Sequence, residues 1–173
     1  GKGKVATHPK DAEAFMTEAT KDPAALAARF NAALELLKQD PRVDTGKIAA
    51  IGYCFGGAVV LGRARAGADL AAVASFHGSL GTKSPAEKGK VTARVLVLTG
   101  ADDPMIPPEQ VAAFSREMEA AGATFQVVSY PGARHSFTNP AADNAGMDAL
   151  AYNAEADQKS WAAMLELFKE VFR

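Results

Sequence analysis

With 173 residues, 48% of them apolar, and a formal net charge of -1, the chain is long enough to enclose a sizeable core and has no excess of either charge. That balance, with no basic cluster, speaks against nucleic acid or an anionic membrane as partner and leaves a small molecule as the natural one. The single cysteine excludes an internal disulfide and a cysteine-based metal site and fits a reducing, cytoplasmic setting, and no run reaches the ~18 apolar residues of a membrane span or forms a signal-peptide core.

In chain order, residues 1–21 show neither a clear strand nor a strong helix, and GKGKVATHPKDA, lacking a methionine, reads as a loop entered midway. His8, before Pro9, is read as structural or solvated. Asp22-Pro23 then supplies a helix cap and a proline at the first helical position. Leu26, Phe30, Ala33 and Leu37 mark one face, predicting a helix over 23–39 that Asp40-Pro41 stops. A turn at 44–47 leads into a strand over 48–51, a helix over 55–66 ended by Gly67, and a second strand over 70–76 with a polar loop after it. A third strand over 94–99 breaks into GADDPMIPPE. Pro107-Pro108 opens a helix with Val111, Phe114 and Met118 on one face, and Gly122 closes it. The fourth strand, 125–130, ends in PGARHSF. Trp161, Leu165, Phe168 and Phe172 then recur at helical spacing and are expected in the core. Arg63, Arg65 and Lys88 read as solvated surface. Strands alternating with helices imply a single α/β domain over 1–173, a parallel sheet with helices on both faces.

The stretch IAAIGYCFGG, residues 48–57, joins the first strand to a helix through G-x-C-x-G. This is the nucleophile-elbow pattern with sulfur in place of oxygen. Its glycines two before and two after Cys54 are expected where strand and helix come too close for a Cβ. Ligands in such sheets bind beyond the carboxyl ends of the strands. The residues there are Cys54, Asp102-Asp103 and His135, in the chain order nucleophile, acid, histidine. Cys54 would attack as thiolate, His135 would take its proton, and an acid, Asp103 by choice, would orient the imidazole. The N–H of Phe55 would be an oxyanion-hole donor. Tyr53, His77 and Arg134 are candidate substrate contacts, His77 by its strand-end position and Arg134 as a partner for an anion. No metal and no cofactor is required.

At GYCFGG, GADDPMIPPE and GARHSF the chain resembles the dienelactone hydrolase family, from about Gly1 to the C-terminal helix. The resemblance implies an α/β-hydrolase fold and attack by Cys54 on a lactone or ester carbonyl, with Asp103 supporting His135. Matching Gly100, Asp103, Ile106 and Pro107 to the family motif favours Asp103 over Asp102. It also marks two departures. Asn139 stands four residues after the histidine, where the name-giving enzyme has an arginine for the substrate carboxylate, so a neutral or differently shaped ester fits as well as dienelactone. The family's strands before the helix at 23–39, which carry the second oxyanion donor, have no counterpart, so the strand at 48–51 is expected to be an open apolar edge that pairs with an N-terminal segment or a second chain. A class I glutamine amidotransferase, the other cysteine-elbow reading, is disfavoured because ARHSFTN has no acid two residues from His135. The alternative from another class is a non-catalytic half-domain, a scaffold binding a partner through that edge.

Overall fold

The computed structural model describes residues 3–173. The chain divides into two compact units, the first ending at Thr45 and the second spanning Gly46–Arg173. The first holds two helices, α1 (Pro9–Thr20) and α2 (Pro23–Lys38). Each starts on proline, whose missing N–H is no loss in a first turn. Each is capped by a side chain: His8 Nδ1 accepts from the Lys10 N–H, and Asp22 Oδ1 from the Ala25 N–H at 2.9 Å. α1 corrects the reading of residues 1–21 as free of a strong helix. Phe15 and Met16 are adjacent and nothing in α1 is buried, so no apolar stripe announces it. The local signal is the cap-and-proline pair His8-Pro9.

The second unit runs β1 (Ala49–Tyr53), α3 (Phe55–Arg65), β2 (Ala72–Phe76), β3 (Arg94–Gly100), α4 (Pro108–Ala121), β4 (Phe125–Tyr130), a short 3-10 turn (Ala142–Ala145) and α5 (Ala154–Val171). The four strands are parallel in the order β1-β2-β3-β4. Tyr53 lies beside Phe76, Phe76 beside Leu98, and Leu98 beside Val128, so the carboxyl ends of all four strands fall on one side. The turns leaving those ends carry Cys54, Asp103 and His135.

Side-chain alternation assigns the two faces. Ala72, Ala74, Phe76, Leu96 and Leu98 form one buried cluster with Phe137, Met164 and Leu167, which places α5 on that face. Ser75 points the other way, against α3 at Gly57. β2 is buried throughout, as a strand covered on both faces must be, whereas Ile51 of the edge strand β1 is 42% exposed.

Two expectations about packing are corrected. On α5 the buried residues are Ala156, Ser160, Met164 and Leu167, while Trp161 and Leu165 are exposed. The face toward the sheet carries the small Ala156 and Ser160 in its first turns and Met164 and Leu167 further on, with Phe168, as expected, packed against the same cluster. Arg65, read as solvated, has a side chain only 5% exposed. It donates from Nε and Nη2 to the two Glu117 oxygens at 2.8 and 2.9 Å, donates to the Leu80 carbonyl at 2.7 Å, and lies 5.4 Å over the Phe114 ring. A buried charge needs such complete pairing, and here it joins α3, α4 and the loop after β2. Among the described residues, no helix is long and apolar enough to cross a membrane.

Candidate active site

β1 turns into α3 through one residue. Cys54 has φ 50° and ψ -118°, a conformation that L-residues rarely adopt, and it caps α3. Its N–H donates to the Phe76 carbonyl at 3.0 Å, and its own carbonyl accepts from the Ala58 N–H at 3.2 Å. A Cβ on Gly52 would stand 2.1 Å from the Gly56 oxygen, so this position requires glycine. Gly56 does not meet the expectation: a Cβ there has nothing within 4 Å. The second close approach is at Gly57, whose Cβ would lie 2.5 Å from Ser75 Oγ and 2.9 Å from Gly78 Cα.

The turns after β3 and β4 are pressed together in the same way. A Cβ on Gly100 would lie 2.2 Å from the Ala133 carbonyl oxygen. This contact brings Asp103 beneath His135. The Asp103 side chain is fully buried; Oδ1 accepts from the Met105 N–H at 2.8 Å and Oδ2 is 2.9 Å from His135 Nδ1. His135 Nε2 is 3.2 Å from Cys54 Sγ. Asp102 is exposed and its N–H is spent on the Ala133 carbonyl. The backbone of His135 is fixed on both sides, donating to the Ala149 carbonyl and accepting from the Ala151 N–H, each at 3.1 Å.

This line of groups governs where the proton sits. Burial alone would lower the pKa of His135, but its hydrogen bonds to Asp103 and Cys54 prevail and raise it to about 9. The Cys54 thiol is held below its ordinary value chiefly by the hydrogen bond with His135, against the effect of burial, with the Phe55 N–H adding to the lowering. Both shifts favour thiolate beside imidazolium, the reactive form of the pair.

An open cavity of about 400 Å³ lies over Cys54. Tyr53, His77, Ser136, Thr138, Asn139 and Asp157 line it around the cysteine. Tyr53 is stacked on Phe76 with centroids 4.6 Å apart. His77 is 3% exposed; its Nε2 is 2.9 Å from Thr138 Oγ1 and its ring stands edge-on to His135 at 5.2 Å. Burial, followed by the charge of His135, lowers its pKa to about 4. Cys54, His77 and Ser136 are the non-glycine residues with positive φ among the described residues, and all three line this cavity. Backbone strain therefore collects at one place, as it does where geometry is held for function.

Arg134 does not join the other candidates. Its side chain is exposed, donates to the Asp148 carbonyl at 2.9 Å and lies outside the cavity lining. Alternation explains the difference, since one residue further on the chain turns His135 inward. Ser136, Thr138 and Asp157 are cavity residues that the sequence reading missed. The first two sit within three residues of His135 in PGARHSFTN, a proximity that could have flagged them. Asp157 follows in the first turns of α5, and nothing in the local pattern separates it from a helix-stabilising acid.

A sequence model of the dienelactone hydrolase family matches residues 1–172. An uncharacterized protein of Caenorhabditis elegans is 38% identical over 152 residues, covering 85% of this chain and 94% of that protein. A putative carboxymethylenebutenolidase of Yersinia pestis is 32% identical over 135 residues, 73% of this chain and 48% of its own length. The chain thus spans about half the length of that bacterial relative. Among solved structures, a dienelactone hydrolase-like promiscuous phosphotriesterase from metagenomic libraries is 40% identical, with a TM-score of 0.88 over 95% of this chain and 69% of that one.

Proposed function

The chain belongs to the dienelactone hydrolase family, and we propose that it cleaves carboxylic esters or lactones through a thioester on Cys54. The observation that carries this reading is the continuous contact from Asp103 Oδ2 through both ring nitrogens of His135 to Cys54 Sγ, with steps of 2.9 and 3.2 Å. The thiolate adds to the carbonyl carbon, and the developing oxyanion is met by the Phe55 N–H at the start of α3. Collapse expels the alkoxide, which takes the proton from His135 Nε2. Neutral His135 then draws a proton from water, hydroxide adds to the thioester, and the C–S bond breaks to return thiolate and release the acid. Ester plus water becomes acid plus alcohol. Asp103 keeps the Nδ1 proton in place through both halves. An unpaired thiol of lowered pKa is oxidation-prone, which supports a reducing, cytoplasmic site of action.

The test is hydrolysis of a panel of activated aryl esters and lactones by the wild type, by Cys54→Ala and after iodoacetamide. Turnover is expected in the wild type alone, with an acylated Cys54 trapped by mass spectrometry at short times. Undiminished turnover by Cys54→Ala would remove the nucleophile and the thioester with it.

A further inference from the structure

We propose that Asp157 sets the charge selection of the cavity over Cys54, admitting esters with uncharged or cationic groups and turning away those that carry a carboxylate. This rests on the hydrolase reading above and names the substrate class it acts on.

Asp157 is half-buried at the start of α5, and its Oδ2 accepts from the Tyr152 hydroxyl at 3.1 Å. It is the one cavity-lining residue with a fixed charge among the described residues. Its charge is felt by another lining residue: the Tyr53 hydroxyl has its pKa raised, first by burial and then by the Asp157 charge. The nearby cations are turned elsewhere. Arg134 is held on the Asp148 carbonyl, and Lys159 is 2.5 Å from Glu155. His77, with a pKa of about 4, is neutral near pH 7.

The catalytic groups do not reverse this sign. Thiolate and imidazolium cancel, leaving the negative charge of Asp103 beneath them. The positive end of α5 amounts to roughly half a charge and offsets only part of Asp157. A substrate carboxylate seated here would face the Asp157 carboxylate, with the buried charge of Asp103 behind His135, and no guanidinium or ammonium among the lining residues to receive it. A trimethylammonium group would instead find Asp157 and the Tyr53 ring, both suited to a cation. Asp157 also stabilises the first turns of α5, but that role predicts no dependence of rate on substrate charge.

The experiment compares kcat/KM for three para-nitrophenyl esters of similar length: the pentanoate, the monoester of glutarate and the ester of trimethylammoniobutyrate. The wild type is expected to turn over the glutarate monoester about 3- to 10-fold more slowly than the pentanoate, with the cationic ester no slower than the pentanoate. Asp157→Asn keeps a partner for Tyr152 and removes the charge. It should raise the anionic-to-neutral ratio toward one and lower the cationic-to-neutral ratio. Added sodium chloride should raise the anionic-to-neutral ratio in the wild type itself, a readout that needs no variant. A glutarate monoester cleaved as fast as the pentanoate, or ratios unmoved by Asp157→Asn and by salt, would overturn the selection while leaving the hydrolase intact. Failure to turn over any of the three esters would overturn the hydrolase reading, and the selection with it.

Discussion

Two histidines face each other in the site, with rings 5.2 Å apart and pKa values shifted in opposite directions. His77 leaves β2 and His135 follows β4, and burial is the largest single influence on both, lowering each. They differ in what they touch. His135 lies between a buried carboxylate and a thiol, and these raise it to about 9. His77 meets the uncharged Thr138 hydroxyl and the Phe137 ring, set nearly at right angles to it, and with no charged partner to hold a proton it falls to about 4. Burial pushes both in the same direction; the partners decide where each ends.

Removing each ring in turn tests that division most sharply. His135→Gln takes away the group that moves protons in both steps, and kcat/KM on an activated ester should fall about 10²- to 10⁴-fold. His77→Gln keeps a polar group near Thr138 and should cost about tenfold or less, since His77 supports the His135 ring without carrying a proton. Equal losses in the two variants would erase the distinction between acid–base group and support.

The residues at the strand ends were legible in the sequence because chemistry and turn geometry constrain them together. Cys54, Asp103 and His135 lie in turns rich in glycine and proline, and each turn follows an apolar run. The helices α3 and α4 and the strand β4 were legible for the same reason of punctuation. What stayed hidden depends on rotation about an axis or on distant pairing. Periodicity located α5 and placed Phe168 against the core, but it also gave the core face to Trp161 and Leu165, because the buried face centres on Met164 and Leu167 and passes through the weakly apolar Ala156 and Ser160. Arg65 looks like any surface arginine until Glu117, 52 residues on, comes beside it. Asp157 enters the cavity only through the placement of α5.

The same two histidines should bend the stability profile at opposite ends of the pH scale. For His77 the folded pKa lies below the ordinary value of 6.5. Between pH 6.5 and 4 the unfolded chain takes up a proton that the folded one refuses, so stability falls as pH falls, by up to about 3 kcal/mol. For His135 the folded pKa is raised, so its contribution is fully present below 6.5 and is lost as pH rises through about 9, again by about 3 kcal/mol. Urea midpoints measured across pH should therefore lose the alkaline slope in His135→Gln. The acid slope should flatten in His77→Gln, and also shrink in His135→Gln, because the charge of His135 is the second cause lowering His77. An acid slope untouched by either variant would show that His77 is not held neutral.

The smallest expected effects come from the glycines that press the His77 loop onto the elbow. Gly78 follows His77, and a Cβ on it would lie 2.8 Å from Gly57 Cα, while a Cβ on Gly57 would meet Ser75 Oγ and Gly78. Gly57→Ala must therefore push two backbones apart, at about 1–3 kcal/mol of stability. Because the displaced backbone carries His77 on one side and Cys54 on the other, activity should fall with it. Gly56→Ala is the control from the same motif. Its Cβ meets nothing within 4 Å, and alanine in a helix restricts the unfolded chain, so stability should stay level or rise by up to about 1 kcal/mol. Thermal midpoints of the two variants, read beside their ester turnover, separate the glycine that spaces the site from the one that only belongs to its pattern. A Gly56→Ala variant as damaged as Gly57→Ala would mean that the elbow needs its second motif glycine for backbone freedom, and that contact with the His77 loop is not what fixes it.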